Sequence, residues 1–453
     1  MKKAKKIAAL AMVLALTLGS FTACGTKDAT TGKNTDKTND PTPTQTVSTT
    51  EPTKEAEPTK EPTKVSLKVW APQEEQTSYG DYGDSLLAYM CEEFAKLHPE
   101  WDIEFTYGAV SEADAKTELS KDATAAADVF MFASDQTATL VENGILAPIT
   151  LNATEVIEAN GGASAGSITA ATFNNYLYAV PFTPNSWFMY YDSSKYTEEE
   201  VKNLDTMMAK DLGDGAYNFA FDIDNGWYNA AFFFAGGSSL FGADGQNPKE
   251  CTFNNADGVK VGNYIVDLVT SNKFLEETDN GANAIDAFTN GKLGAWCSGT
   301  WNAESVKAAL GDNYAATKLP TITIDGTDKQ LKSFADYKYI GVNMNTQYME
   351  AAQALATYLG GEECQKVRYL ARSIAPTVTS LVNDPDITAN VAVAALSYQS
   401  AYTQFQSTIP QMGNFWTPAQ AFGAGCYNKE INKDNMQEQL DLFVNNVLTA
   451  LSE

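Results

Sequence analysis

The order of predicted strands and helices in residues 65–132 is the feature that most restricts the fold. Every second residue from 65 to 69 is apolar, which predicts a strand with one buried face. Apolar residues at helical spacing follow in 86–97, an alternating strand covers 101–107, and another helix precedes the apolar run 128–132. Strands that alternate with helices pair in parallel, so this βαβαβ order predicts an α/β fold.

Ligands of open α/β sheets bind beyond the carboxyl ends of the strands, so the loops 71–80 and 133–137 are candidate ligand contacts. The chain has 453 residues, of which 44% are apolar, and it can therefore fill the cores of two lobes. Turn residues interrupt the strand-like run 176–191, which we interpret as a passage from one lobe to the next.

The first 64 residues predict export and a linker. Lysines near the start precede the apolar stretch 7–18, which is too short to span a bilayer, so 1–23 is a predicted signal peptide. Phe-Thr-Ala-Cys24 resembles the lipobox of bacterial lipoproteins, which implies lipidation of Cys24; ordinary cleavage without lipid is the alternative. Residues 24–64 are rich in Thr and Pro and predict an extended tether.

Several classes of function are disfavoured by composition. The formal charge of -26 would repel phosphate backbones, so no nucleic acid partner is expected. The six cysteines show no metal-ligand spacing, so we expect free thiols and no metal site. His98 is the only histidine, which excludes nearly all Ser-His-Asp, Cys-His and multi-histidine zinc chemistry.

Three segments carry a family resemblance. Asp128-Val-Phe-Met-Phe-Ala-Ser-Asp135, the motif from Phe288 to Trp301 and the motif from Ile409 to Trp416 resemble the extracellular solute-binding proteins of ABC importers, and among them the maltose/maltodextrin-binding branch. The resemblance implies a two-lobed periplasmic-binding-protein-like fold with a hinge and a ligand cleft between the lobes. The lobes would comprise 65–183 with 335–380, and 184–334 with 381–453.

The resemblance also implies the ligand contacts. Its sugar-stacking aromatic residues match Trp227, Tyr228, Trp301 and Trp416, and a hydroxyl-accepting aspartate matches Asp135. Asp135 could instead cap a helix that begins at Gln136. The remaining candidates are Glu74, which follows the first strand, and Phe132 and Asn185, which stand where the maltodextrin branch usually has tryptophan and glutamate.

The resemblance implies a monomeric, non-enzymatic receptor without a cofactor, lipid-anchored at the extracellular face of the membrane. It would capture malto-oligosaccharides and deliver them to an ABC permease. Another oligosaccharide is the first alternative. A secreted glycoside hydrolase also remains open, because 57 acidic residues make some close carboxylate pair inevitable. A surface module that tethers polysaccharide without an importer is the third possibility.

Overall fold

The computed structural model describes residues 61–277 and 281–449. The strands are β1 Thr63–Ala71, β2 Trp101–Ala109, β3 Val129–Ala133, β4 Thr172–Phe173, β5 Tyr176–Leu177, β6 Val180–Asn185, β7 Phe188–Asp192, β8 Phe219–Phe221, β9 Phe274–Glu276, β10 Ala295–Ser298, β11 Tyr314–Thr317, β12 Thr321–Ile324, β13 Thr327–Gln330, β14 Ser333–Val342 and β15 Thr403–Phe405. The helices are α1 Leu86–Leu97, α2 Ala115–Lys121, α3 Thr137–Glu142, α4 Ala153–Ala159, α5 Gly166–Ala170, α6 Leu204–Ala209, α7 Gly226–Ala235, α8 Ala256–Val269, α9 Ala282–Thr289, α10 Ala303–Leu310, α11 Met349–Leu359, α12 Glu362–Arg372, α13 Thr379–Val382, α14 Pro385–Thr388, α15 Val391–Gln399, α16 Trp416–Tyr427 and α17 Met436–Thr449. Within these two ranges no helix combines the length and the apolar character needed to cross a bilayer.

The first sheet has the strand order β15–β14–β3–β1–β2, and β6 also pairs with β14. β1 is parallel to both neighbours, with Val69 opposite Tyr107 and Val129. The helix between β1 and β2 is capped by Ser85, whose hydroxyl accepts a hydrogen bond from the Ala88 amide. The predicted βαβαβ order and its parallel pairing are confirmed.

The second sheet has the strand order β11–β7–β10–β8–β9. Met189 and Tyr191 of β7 lie in one buried cluster, whereas Phe188 and Tyr190 lie in another. Successive side chains of a strand point to opposite faces, so both faces of this sheet are covered. That double burial explains the uninterrupted apolar run along β7. Two α/β sheets with separate cores agree with the two-lobed fold class.

The antiparallel pair of β6 and β14 connects the two sheets. Residues 338–342 of β14 pair with β3 in the first sheet, whereas Phe334, near the start of β14, packs in the core of the second. Asn185 at the end of β6 lies opposite Asp336, and β7 begins three residues later. The predicted passages near 183 and 335 both fall within this junction. The lobe boundaries as a whole stay a prediction.

Five cysteines in the described part of the chain are free and buried, as expected from the sequence: Cys91, Cys251, Cys297, Cys364 and Cys426. Burial raises the pKa of Cys251 and Cys426 to about 12, so both are protonated thiols at neutral pH. They act as small apolar side chains in the core. Cys24, the predicted lipidation site, lies outside the described residues.

A buried ion cluster ties the segment after β1 to α12. Glu75 is 1% exposed, and its carboxylate accepts hydrogen bonds from Arg368 Nε, at 2.9 Å, and from Arg372 Nη1. Burial alone would raise the pKa of Glu75, but the charges of Arg368 and Arg372 outweigh it and lower that pKa below its usual value. The carboxylate therefore compensates two guanidinium groups that have little access to water.

We expect Glu75→Gln to reduce the free energy of unfolding by about 3–5 kcal/mol, because it leaves buried guanidinium charge without a counterion. Denaturant unfolding at pH 7 measures this. Glu74→Gln is the matched control, since Glu74 is exposed and forms none of these ion pairs. Equal stability of the two variants would contradict the assignment.

Candidate functional site

Asp336 holds the junction to the loop that follows β3. It is 3% exposed; Ser134 donates its hydroxyl to Oδ1, and Asn185 Nδ2 donates to Oδ2 at 2.7 Å. Burial raises the pKa of Asp336 to about 6, although both hydrogen bonds counteract that rise. The three side chains fix the loop of the first sheet against the end of β6.

Asp135 follows Ser134 and connects the two parts of the molecule. Helix α3 has no side-chain cap, so the alternative role of Asp135 as a helix cap does not apply. Burial and the charge of Asp336 raise the pKa of Asp135 to about 7, while Lys116 and a side-chain hydrogen bond with Trp416 lower it. Trp416 packs against the core of the second sheet. The contact between Asp135 and Trp416 therefore bridges the lobes.

Trp227 and Trp301 form an aromatic pair on the second lobe. Their ring centroids are 5.8 Å apart at an interplanar angle of 37°, and both residues are only partly buried. Trp227 stands in the first turn of α7, where the Asn225 side chain accepts a hydrogen bond from its amide. Its indole Nε1 donates to Gln406 Oε1 at 3.1 Å. The pair thus presents fixed ring surface at the edge of a core.

The position of Trp301 depends on Gly299. A Cβ at residue 299 would lie 1.9 Å from the Trp301 ring, so only glycine lets the indole fold back over this backbone. Lys338 Nζ, on β14, lies 5.6 Å from the ring centroid of Trp301. A cation of the first sheet therefore contacts the aromatic pair of the second lobe.

The remaining predicted aromatic residues adjoin this pair. An ideal Cβ on Gly226 would lie 3.6 Å from Trp416, which places that indole beside the start of α7. Tyr228 packs 4.8 Å from Trp187 and 5.2 Å from Trp227, by ring centroids. Trp227, Tyr228, Trp301 and Trp416 are thus connected through neighbouring contacts.

A small cavity lies where the two lobes meet. Its volume is about 20 Å³. Its walls include Thr183 and Lys338 from the junction and Thr300 and Trp301 from the second lobe. Such a space holds roughly one water molecule and cannot hold a sugar ring. A sugar ring at this position would therefore require the lobes to lie farther apart here.

A larger depression, of about 470 Å³, lies on the first lobe. Its walls include His98, Trp101 and Tyr358 but none of the predicted ligand contacts. Two of the predicted ligand contacts, Asn185 and Trp301, line the smaller cavity at the junction.

The structure corrects the expectation for Phe132. Its side chain has no exposed surface and packs 5.7 Å from Tyr339, by ring centroids, within the first core. Asn185 lines the cavity, but its amide donor is occupied by Asp336. Glu74 is exposed to solvent and near enough to Arg372 for an electrostatic interaction. Phe132 alone has no surface to offer a ligand.

Sequence reasoning missed three charged residues of the cavity wall, Glu112, Lys338 and Arg372. Lys338 Nζ pairs with Glu112 Oε1 at 3.1 Å. Glu112 could have been expected, because it follows β2 in the same way that the predicted loops follow β1 and β3. Lys338 and Arg372 do not follow the end of a predicted strand, so the sequence did not point to them.

Known proteins resemble this chain over most of its length. Residues 89–395 match the family of bacterial extracellular solute-binding proteins. The galactooligosaccharide-binding protein of Bacillus subtilis (strain 168) is 30% identical over 302 residues, which cover 64% of this chain and 70% of that protein.

Two solved structures share the fold. One, described as being with acarbose, is 35% identical with a TM-score of 0.80 and covers 86% of this chain and 100% of its own. The maltodextrin binding protein MalE1 from L. casei BL23, solved without ligand, is 26% identical with a TM-score of 0.72. The match covers 85% of this chain and 99% of that protein. The chain belongs to the bacterial extracellular solute-binding proteins, the binding components of ABC importers.

Proposed function

We propose that this protein captures malto-oligosaccharides in the cleft between its lobes and delivers them to a permease in the cell membrane. The observation that carries the proposal is the partly exposed pair of Trp227 and Trp301 beside the contact between Asp135 and Trp416. Aromatic surface of the second lobe and a carboxylate of the first would thus be available to one ligand, and Trp301 also lines the cavity at the junction. No metal or cofactor is required for binding of this kind.

The chemistry of these groups suits a pyranose. Its C–H faces pack on aromatic rings, as the indoles of Trp227, Trp301 and Trp416 would allow. Its hydroxyls donate hydrogen bonds to a carboxylate, and an ionised Asp135 accepts through both oxygens. Asn185, Tyr228 and Glu74 would contribute around this centre.

Relatives support an oligosaccharide and differ on which one. The L. casei protein is named for maltodextrin and the Bacillus subtilis relative for galactooligosaccharide. We favour malto-oligosaccharides because the segments 128–135, 288–301 and 409–416 resemble the maltose/maltodextrin-binding branch. A galactooligosaccharide is the alternative within the same function.

Binding would proceed through opening and closure at the junction of β6 and β14. The cavity of about 20 Å³ is too small to admit a sugar ring, so the lobes would move apart to admit the ligand and then close around it in an arrangement that leaves it room. A bound sugar that contacts both lobes would then favour closure, and the closed form would be recognised by the permease.

The proposed site of action is the extracellular face of the cell membrane. Lipidation of Cys24 would anchor the chain, and residues 24–64 would separate the binding domain from the bilayer. Metabolic labelling with an alkyne-tagged fatty acid, compared between the native chain and Cys24→Ala, tests the anchor.

Titration calorimetry with maltose to maltoheptaose, matched galactooligosaccharides and xylo-oligosaccharides tests the ligand. We expect saturable binding of the malto series, with affinity that rises with length until the aromatic pair is covered. Chromatography of the incubated sugars tests the hydrolase: cleavage would identify an enzyme. Preference for insoluble polysaccharide over short chains would identify a tethering module.

Trp301→Ala should weaken malto-oligosaccharide binding by about tenfold, which corresponds to about 1.4 kcal/mol, because the variant lacks the flat ring on which an apolar pyranose face would pack. Stability should fall little, since the ring is only partly buried. Tyr176→Ala is the control, because Tyr176 is 62% exposed and lies outside the cavity wall. Retained affinity with a large loss of stability would make Trp301 a core residue only.

Sugar affinity should rise between pH 6 and pH 8. The pKa of Asp135 is raised to about 7 by burial and Asp336, and sugar hydroxyls donate to the ionised form. Because ionisation increases with pH, we expect up to about a tenfold gain over this interval. In Asp135→Asn the profile should be flat and the affinity low. A native profile without slope would contradict the role of Asp135.

A further inference from the structure

Three carboxylates converge at the carboxyl ends of β8 and β9. These two strands are parallel, with Phe221 opposite Glu276. Asp222 and Asp224 follow β8, and Glu276 is the last residue of β9. One oxygen from each of Asp222, Asp224 and Glu276 lies within 4.8 Å of the other two. The sheet therefore brings together acids that are more than fifty residues apart in sequence.

Two oxygens of this cluster accept no hydrogen bond. Glu276 is 8% exposed; its Oε1 accepts from the amides of Ile223, at 3.1 Å, and Asp224, but its Oε2 is buried without a partner. Asp222 Oδ2 accepts from Asn225 Nδ2 at 3.1 Å, whereas Asp222 Oδ1 is buried without a partner. Buried carboxylate oxygens without donors are costly, so something else must satisfy them.

In the part of the chain that the structure describes, no basic side chain forms an ion pair with the cluster. Among the residues of 61–277 and 281–449, none of the ion pairs includes Asp222, Asp224 or Glu276. The short segment 278–280 between those ranges reads Thr-Asp-Asn and adds no cation by sequence. Burial and the neighbouring acids raise the pKa of Asp222 and Glu276 to about 8, which reflects the same uncompensated charge.

We propose that Asp222, Asp224 and Glu276 bind a divalent cation of the calcium type. Calcium prefers carboxylate, amide and water oxygens and tolerates irregular geometry, which suits three acids from two strand ends. The absence of nitrogen or sulfur donors in this trio disfavours zinc. Water and backbone oxygens would complete the coordination.

The location of the site gives the ion a structural role. Asp224 directly precedes Asn225, the N-cap of α7, and Trp227 follows in the first turn of that helix. An ion held by Asp222 and Asp224 would fix this loop and with it the indole of Trp227. This consequence rests on the proposed sugar function, whereas ion binding itself does not.

The alternative to a bound cation is that protons neutralise the carboxylates. If Asp222 and Glu276 simply remain protonated at neutral pH, the buried oxygens carry no charge and no ion is needed. Divalent cations would then have no effect, and amide substitutions would be neutral or stabilising at every calcium concentration.

Calcium titration of the full-length protein after chelation and dialysis tests the site. Calorimetry and terbium luminescence excited through tryptophan should both report one saturable site, and the melting temperature should rise with calcium concentration. Asp222→Asn and Glu276→Gln should each weaken calcium binding by about tenfold or more. Asp312→Asn is the control, because Asp312 is exposed and lies outside the trio.

Each outcome of the calcium titration either supports or overturns the proposed site. Saturable binding that both variants lose and the control keeps supports the site. No saturable binding of calcium or terbium at millimolar concentration, or binding that survives in both variants, overturns it. Without calcium, the variants should melt no lower than the native chain, which shows that they fold. All titrations omit sugar, so failure of the sugar proposal would not affect this outcome.

Discussion

The antiparallel pairing of β6 with β14 is the constraint on which the rest of the molecule depends. β14 completes the first sheet next to β3, while Phe334 at its start packs into the core of the second. One strand thus contributes to two separate cores and connects them. The buried carboxylate of Asp336, bound by Ser134 and Asn185, locks the adjoining loop to this pair, so the position of Asp135 follows from the same contacts.

Two contacts join the lobes at the proposed site. The Asp135 carboxylate contacts the Trp416 indole, and the Lys338 ammonium group lies over the Trp301 ring. In both contacts a charged group of the first lobe interacts with an indole of the second. These contacts are modest in energy, because a single cation–π or charge-assisted hydrogen bond contributes about 0.5–3 kcal/mol. In the proposed function, a ligand that offers hydroxyls and flat apolar faces would supply equivalent partners to both sides.

The sequence predicts what depends on local pattern and misses what depends on distant partners. The first three strands and their parallel order follow from the pattern of apolar residues and from the helices between them. Phe132 matches a ligand position of the family, but its side chain lies in the first core. The sequence does not reveal this, because a continuously apolar strand does not show which face meets the core. The hydrogen bond between Asn185 and Asp336 joins residues 151 positions apart. The arginines that pair with Glu75 lie nearly 300 residues later in the chain, so the local sequence does not distinguish Glu75 from Glu74. Asp222, Asp224 and Glu276 likewise meet only through strand pairing.

Gly299 shows how the orientation of the Trp301 ring, a proposed sugar contact, depends on a neighbouring backbone position. The indole of Trp301 occupies the volume in which any other amino acid would place its first side-chain carbon. Replacement by alanine would expel the ring from this position while leaving every aromatic residue intact. Substrate preference in such a receptor could therefore drift through changes in backbone neighbours, and comparison of aromatic positions alone would overlook them.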